Sequence, residues 1–276
     1  MFLSEGTVWP YQYRRGSSAL IVSMPHAGTF IPHSIGKGLS DCAARRPDTD
    51  WHLPRLYDFL DELGATVITA THSRYVVDVN RPPDGANLYP GRDTPRLCPI
   101  DTFHSEPLYR DSVDPDAAEV ARRVEAVWRP YHRRLAAEIR RVRGEHGAAI
   151  LWDAHSIASE VPRLFDGRLP DFNLGTAEGK SCDPALAKAL FVAISRQNGY
   201  TAVLDGRFKG GYITRRYGNP AESVHAVQLE LSQAVYMDER SPFAFRGDLA
   251  DQVRPRLREL LEIALAWVNR ARRGRV

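Results

Sequence analysis

Two histidines are the first residues in this sequence whose type and surroundings could do chemistry. His26 and His155 each follow a short apolar run and have small residues beside them, which would let a ligand approach. Two imidazole nitrogens and one carboxylate oxygen, from Asp48 or Asp50, would fill three positions of a zinc site and leave the fourth to water. Each residue also has an ordinary explanation, since a lone histidine is more often a satisfied polar side chain and either aspartate could cap a helix. The residues alone leave these alternatives open.

Glu230 is an acidic residue in the middle of an apolar run, 226–231, that has the length of a strand. Strand alternation places it on the same face as Gln228 and opposite Leu229 and Leu231. A general base held near a metal-bound water would have this placement. A strand whose polar face meets solvent would give the same pattern, so the spacing does not decide between the two interpretations.

Arg74 precedes another predicted strand, and Asn80 and Arg81 follow it. A guanidinium group suits a carboxylate because it can donate two parallel hydrogen bonds. These residues could therefore hold an acidic substrate. Ordinary ion pairs with Asp78 or Asp84 would explain the arginines equally well.

Two further segments could contact or cover a substrate. The glycine-rich segment 210–218 carries Tyr212 and Arg215, and it is either a substrate lid or only a surface turn. The polar connection 82–114 is long for a compact domain, and such connections are usually functional or mobile. The composition of the loops 82–114 and 206–218 would permit them to close over a substrate.

The elements that must position these residues are predicted from apolar patterning, which switches between short runs and helical periods and so favours an α/β fold. Strands are predicted at 18–23, 65–71, 75–79, 148–152, 200–204 and 226–231. Helices are predicted at 50–63, 116–143, 184–198 and 249–270, the second of them kinked by Pro130. Because both histidines follow strands, they could converge at the edge where open α/β sheets bind ligands. No linker interrupts the pattern, so we predict a single domain over residues 1–276.

Composition excludes several classes of protein. The chain has 276 residues, of which 43% are hydrophobic and 26% charged, as in globular rather than disordered or membrane proteins. A net charge of +3 gives no reason to expect nucleic acid as a partner. The three scattered cysteines are too few for a disulfide framework or a thiolate zinc site. We therefore expect a cytoplasmic protein with a small-molecule substrate and neither a nucleic-acid nor a membrane partner; the oligomeric state stays open.

Six stretches of the sequence, taken in order, resemble the N-formylglutamate amidohydrolase family, whose members are also called N-formylglutamate deformylases. The stretches are SMPHAGTFIP (23–32), the segment 48–91 that begins DTDW, LWDAHS (151–156), LPDFNLGTAEGKSCDP (169–184), KGGYITRRYG (209–218) and VQLELSQAVYMDE (227–239). They span most of the chain and keep their order. Together they are far more specific than any single motif above.

The resemblance implies a single-domain, three-layer α/β sandwich around a mixed sheet, similar to the zinc carboxypeptidase and aspartoacylase fold. It also implies one zinc ion held by His26, His155 and an aspartate. Related sequences keep the first acidic position, which favours Asp48, whereas the DTDW form leaves Asp50 open. Another divalent metal could occupy the same ligands.

The same resemblance implies an activity, the zinc-dependent hydrolysis of N-formyl-L-glutamate to formate and L-glutamate in histidine degradation. Glu230 would be the catalytic base and later the proton donor. The substrate-binding residues that it implies are Arg74, Asn80, Arg81, Tyr212 and Arg215. They would form a pocket for a substrate with two carboxylates.

Two other functions fit the same residues. The chain could be a zinc amidohydrolase of the same architecture for another N-acyl acidic amino acid. It could also be a metal-free binding protein for acidic amino acids, which would keep the arginines but hold no metal. Metal content and a substrate panel distinguish these possibilities.

Overall fold

A mixed seven-stranded sheet runs through the middle of the molecule. The computed structural model describes residues 8–88, 91, 94–110, 114–196 and 199–273. The strands are β1 (Tyr11–Arg14), β2 (Leu20–Met24), β3 (Thr66–Ala70), β4 (Ala149–Ile157), β5 (Phe172–Gly175), β6 (Ala202–Leu204) and β7 (Val224–Ser232). Their order is β1-β3-β2-β4-β7-β5-β6. Neighbours among β3, β2, β4 and β7 are parallel, whereas β1 and β5 run antiparallel to β3 and β7.

Helices cover both faces of this sheet. They are α1 (His33–Gly36), α2 (Asp41–Arg45), α3 (Leu53–Leu56), α4 (Ala117–Arg123), α5 (Arg129–His146), α6 (Pro184–Ser195), α7 (Tyr212–Tyr217) and α8 (Gly247–Arg273). One apolar core packs α3, α6 and α8 against the sheet, and a second packs α5 and α7 against the opposite face. The predicted three-layer α/β sandwich around a mixed sheet is therefore confirmed. No helix of the described part of the chain combines the length and apolar character that crossing a membrane requires.

Most predicted elements are present, with shifted ends. β2, β3, β6 and β7 lie within or around the predicted strands, and α6 and α8 lie on the predicted helices. The predicted end of the helix over 184–198 includes residues 197–198, which lie outside the described residues. The short strands β1 and β5 were not predicted, because an edge strand and a four-residue strand carry little periodic signal.

The predicted helix 50–63 is wrong as a continuous helix. The segment holds only α3 and a 3₁₀ turn over Asp58–Asp61. His52, before α3, has a φ of 61°, a left-handed conformation that a helix interior does not allow. The apolar spacing was therefore right about burial and wrong about the regularity of the backbone.

The helix predicted over 116–143 is present but is interrupted as expected. A π-helical turn over Val124–Trp128 joins α4 to α5, and Pro130 lies in the first turn of α5. Proline has no N–H to donate and crowds the preceding turn, so a wider turn before it relieves both problems.

The strand predicted at 75–79 is wrong. Its valines are buried, but the backbone turns instead, with the N–H of Val76 donating to the carbonyl of Ser73. The carboxylate of Asp78 accepts a hydrogen bond from the backbone N–H of Asn80, which an extended strand would point away from it. The β-branched run predicted burial correctly, but the contacts of the buried Asp78 carboxylate favour a turn instead of a strand.

The prediction that β4 ends near residue 152 is also wrong. The strand continues through Asp153 and His155 to Ile157, and all of it is buried. Its pairing with β7 extends to Ile157 and Ser232. His155 therefore lies within a central strand, whereas His26 follows the end of β2 as predicted.

Candidate metal centre and substrate cavity

Three potential metal ligands converge beside the central strands. His26 follows β2, His155 lies in β4 and Asp50 lies just before α3. The Nδ1 atoms of the two histidines are 3.1 Å apart. Oδ2 of Asp50 lies 3.3 Å from Nδ1 of His155 and 3.8 Å from Nδ1 of His26. All three residues are buried, so their donor atoms share a small space away from bulk water.

The carboxylate of Asp50 shows that this cluster fits a cation. Its Oδ2 atom is buried and, among the described residues, accepts no hydrogen bond of normal geometry despite its closeness to His155. A buried acceptor without a donor is costly unless an ion satisfies it. Two imidazole nitrogens and one carboxylate oxygen are ligands that zinc and similar divalent metals accept.

Two further aspartates orient the histidine rings. Asp78 Oδ1 lies 2.7 Å from Nε2 of His26, and Asp153 Oδ2 lies 3.1 Å from Nε2 of His155. A carboxylate can only accept a hydrogen bond, so in a neutral His26 ring the proton belongs on Nε2 and the lone pair on Nδ1 faces the cluster. Nε2 of His155 also lies 3.0 Å from Nδ2 of Asn80, which can only donate, so the contacts of this ring do not select one tautomer. Such outer carboxylates are typical partners of metal-binding histidines.

The charges around the two rings differ. Burial lowers the pKa of His26 below its ordinary value. Burial acts in the same direction on His155, but the neighbouring carboxylates of Asp153 and Asp50 outweigh it and raise its pKa well above the ordinary value. The surroundings of His155 thus favour a positive charge at this point of the molecule.

Asp48 lies outside the cluster. Its Oδ2 atom accepts a hydrogen bond of 2.9 Å from the backbone N–H of Phe103, and burial raises the pKa of its carboxyl. Asp50 instead turns toward the histidines, with its N–H donating to the carbonyl of His26. The structure thereby separates the two aspartates between which the sequence left the choice open.

Glu230 stands directly beside His155, because the register of β7 against β4 pairs these two residues. Its Oε2 atom accepts a hydrogen bond of 3.2 Å from Nε2 of Gln228, its neighbour on the same face of the strand. Burial raises the pKa of Glu230 to about 8, although the positive charge of His155 opposes the shift. A carboxyl with such a pKa can both take and return a proton near neutral pH.

His26, His155, Gln228 and Glu230 line one cavity, together with residues from the loops around the sheet. Of the predicted substrate contacts, Arg74, Asn80 and Arg81 line it. Nη2 of Arg74 donates to Asp78 Oδ2 at 2.6 Å, and Nε of Arg81 lies 3.9 Å from the same oxygen. Burial disfavours the charged form of Asp78, but the His26 ring and Arg74 hold the pKa of this carboxyl well below its usual range.

Tyr212 and Arg215, the other two predicted contacts, do not line the cavity. The ring of Tyr212 packs against Trp128 and His132, with centroid distances of 5.7 and 5.5 Å. Nε of Arg215 donates to the carbonyl of Gly210 at 2.8 Å. Both side chains belong to the structure around the cavity rather than to its lining.

Several residues of the site were not predicted as individual members of it. Among them are the ring-orienting Asp78 and Asp153, and Arg207 and Phe208 of the lining. A signal for the aspartates existed, since an acidic residue inside a buried apolar run needs a partner. Arg207 and Phe208 follow the short strand β6 in a loop whose path no sequence pattern reveals.

Comparison with known proteins agrees with this geometry. The family model of N-formylglutamate amidohydrolase matches residues 18–237. An N-formylglutamate deformylase of Pseudomonas aeruginosa is 55% identical over 255 residues, which are 92% of this chain and 96% of that protein. A protein of the same name from Pseudomonas putida is 51% identical, covering 92% of this chain and 95% of its own.

A solved structure extends the similarity to three dimensions. The crystal structure of N-formylglutamate amidohydrolase from Ralstonia eutropha JMP134 superposes with a TM-score of 0.78 at 26% identity. The superposition covers 97% of this chain and 100% of the other. The arrangement of the strands that carry the site is thus shared over essentially the whole length of both chains.

Proposed function

The chain belongs to the N-formylglutamate amidohydrolase family, and from this premise we propose that it hydrolyses N-formyl-L-glutamate to formate and L-glutamate. One observation carries the proposal. The two histidines of the potential metal cluster, the buried carboxyl of Glu230 and several arginines line a single cavity. This substrate needs all three, because it combines a formamide with two carboxylates.

The metal in this proposal is one zinc ion, although the donor set would accept another divalent metal. Nδ1 of His26, Oδ2 of Asp50 and Nδ1 of His155 would hold it. When bound, it would supply a Lewis acid for the formyl carbonyl and lower the pKa of a water molecule. The orphaned Oδ2 atom of Asp50 supports this assignment.

Glu230 handles the proton in this mechanism. Its carboxylate accepts a proton from the attacking water and later delivers it to the nitrogen of the departing glutamate. Gln228 donates to Oε2 and keeps the carboxyl group turned toward the cavity. The buried surroundings hold the pKa of Glu230 near 8, so the carboxyl can return the proton that it takes.

The arginines recognise the substrate. Arg74 is buried, bonded to Asp78 and stacked at 4.6 Å on the ring of Phe103, so its guanidinium is fixed. Arg81 shares Asp78 and is somewhat more exposed. We assign both, with Asn80, to the carboxylate next to the scissile amide. Both arginines lie beside Asp78, which orients His26, and Nδ2 of Asn80 lies 3.0 Å from Nε2 of His155.

The biological setting is also part of the proposal. We place the reaction in histidine degradation, as the resemblance implies. A single domain over residues 1–276 follows from the uninterrupted sequence pattern, and a location in the cytoplasm from the few, scattered cysteines. The geometry of the site does not depend on these statements.

The experiment that tests the function is formate release from N-formyl-L-glutamate by purified protein. It is run on the protein as isolated, after chelation and after zinc is restored. We expect release that chelation abolishes and zinc rescues. Formate release that chelation does not reduce would reject the metal assignment but leave the proposed reaction standing.

The same assay separates the alternatives. Release of acetate or carbamate products from N-acetyl- or N-carbamoyl-L-glutamate, without formate release, would indicate a different acyl specificity. Binding of L-glutamate without any turnover or metal would indicate the binding protein.

A further inference from the structure

Arg207 is a charged residue of the cavity that the mechanism above does not use. It lines the cavity together with Phe208 and Leu164. Its Nε donates a hydrogen bond to the carbonyl oxygen of Leu164, and its guanidinium lies 5.4 Å from the centroid of the Phe208 ring. The side chain is therefore anchored through Nε, beside two other residues of the cavity lining.

The segment that carries Arg207 is held at both ends. The N–H of Asp205 donates to the carbonyl of Leu174 at 2.7 Å, and the N–H of Gly211 donates to Oε1 of Gln228 at 2.6 Å. Gln228 is the same residue that bonds Glu230. The arginine is thus held in a fixed relation to the proposed base, as a binding group that is ordered before its ligand arrives should be.

Strand order brings Arg207 to the cavity from a different side than the other arginines. The central strands β2, β4 and β7 carry His26, His155 and Glu230. Arg74 and Arg81 follow β3, on one side of these strands, whereas Arg207 follows β6, on the other side. A ligand centred on the cluster can therefore meet guanidinium groups at two separate places.

N-formyl-L-glutamate requires two such places. Its first carboxylate is attached to the carbon that bears the amide nitrogen, so it must stay close to the reacting formyl group. Its second carboxylate is two methylene groups further along the side chain. Arg74 and Arg81 adjoin the residues around His26 through Asp78, whereas the contacts of Arg207 include a backbone carbonyl and an aromatic ring.

We propose that Arg207 binds the side-chain carboxylate of the substrate and that Phe208 and Leu164 pack against the methylene groups between the two carboxylates. The assignment rests on the proposed function and adds its specificity, because an arginine at this place selects an acidic side chain over a neutral one of equal size. Arg207 is partly buried, and a guanidinium that meets a neutral group in place of a carboxylate loses a charge-assisted hydrogen bond.

The test compares two substrates on three variants. N-formyl-L-glutamate and N-formyl-L-glutamine have the same size and differ only in the charge of the side-chain group. For Arg207→Ala we expect kcat/KM on the glutamate substrate to fall roughly 10- to 100-fold, mostly through KM. On the glutamine substrate it should change by less than about 3-fold. Arg207→Lys keeps the charge without the planar group and should restore part of the preference.

Arg168→Ala is the matched control. Arg168 is an exposed arginine outside the cavity, so its loss changes the net charge equally and should leave both rates unchanged. Circular dichroism and thermal unfolding establish that each variant is folded. If Arg207→Ala does not fold, Arg207→Lys alone decides, since it should lower the preference for the glutamate substrate while the rate on glutamine stays constant.

Two results would overturn the assignment in distinguishable ways. Equal losses on both substrates, or no loss on either, in an enzyme whose wild type is active would reject the role of Arg207 and leave the proposed function standing. A folded, zinc-loaded wild type that hydrolyses neither substrate would reject the proposed function, and the assignment of Arg207 with it.

Discussion

The two faces of β4 and β7 differ in what they bury. On one face the side chains are mostly apolar and pack with α6 and α8, and the exceptions are Ser156 and His225. On the other face the strands begin apolar, with Leu151 and Ala226, and then become polar. The polar residues that follow on this second face are Asp153, His155, Gln228 and Glu230. One pair of strands therefore stabilises the fold with one face and forms the candidate site with the other.

A site can lie within a buried sheet, on a face whose polar side chains have partners. Polar side chains are tolerated on the second face because each finds a partner, as Asp153 does with Ser23 and His155. The apolar residues of the same strands lie on the opposite face and need no such partners. Substitutions on the two faces should consequently have separable effects, on activity for one and on stability for the other.

The largest expected effect is on the polar face. Glu230→Gln removes the proton acceptor without changing the size of the side chain, and it should lower kcat for formate release by about 10²- to 10⁴-fold. Zinc content, measured by mass spectrometry, should stay at one ion per chain. The fold should be at least as stable, because a buried ionisable group is replaced by a neutral one. A kcat within 3-fold of wild type would remove Glu230 from the mechanism.

The adjacent residue on the apolar face should behave in the opposite way. Leu229 is fully buried in the first core, so Leu229→Ala should lower the free energy of unfolding by about 2–5 kcal/mol. The kcat of the folded fraction should change only a few-fold. Urea unfolding and steady-state kinetics on the same preparation measure both quantities. If Leu229→Ala abolished turnover in a protein that is still folded, the separation of the two faces would be refuted.

A second pair of variants tests where the polar face ends. Asp50→Asn should weaken zinc binding by roughly 100-fold or more, since losing even an indirect partner of a metal ligand costs 10- to 100-fold. Asp48→Asn should change the affinity by less than about 3-fold, because the amide oxygen of the introduced side chain can still accept the hydrogen bond from Phe103. Competition with a chromophoric zinc chelator measures both affinities. The reverse order of effects would return the ligand role to Asp48.

The same two aspartates show which part of the site could not be predicted from the sequence. The face of Glu230 could be predicted from strand alternation, whereas His155 was expected to follow β4 and lies within it. The parallel pairing of β4 with β7 brings the two residues together. Asp48 and Asp50 lie in an irregular segment before α3, where neither the helical nor the strand repeat of apolar residues applies. Which of the two turns inward depends on a backbone hydrogen bond from Asp50 to His26, and no local pattern encodes that long-range contact.

The fold could also be predicted only in part, because long-range contacts fix some of its segments. The central strands were predicted because buried parallel strands are continuous apolar runs. The run 75–79 has the same composition but folds as a turn, since Asp78 binds His26, Arg74 and the backbone of Asn80. Arg207 could not be assigned for a related reason, because its place depends on the path of a loop across the sheet.

The smallest expected effect concerns the helix layer over the polar face. The described side chains of α6 and α8 include no buried polar group, whereas α5 buries His132 and Glu138. His132 is stacked on Trp128, and its Nε2 lies 2.7 Å from the carbonyl oxygen of Val79. Burial lowers the pKa of His132 to about 4.

The unfolded chain, in which this histidine has an ordinary pKa near 6.5, therefore binds more protons than the folded protein between pH 4 and 6.5. Stability should fall as the pH is lowered through this range, and His132 should contribute about 1.4 kcal/mol of the loss at pH 5.5.

Urea unfolding of the metal-free protein at pH 7.5 and 5.5 measures this loss in the free energy of unfolding, which should be smaller by this amount in His132→Gln. His72, whose pKa burial also lowers to about 4, is present in both proteins and cancels in the comparison. Equal losses would mean that His132 takes up its proton without unfolding, and the layer over the polar face would then be more open to water than its packing indicates.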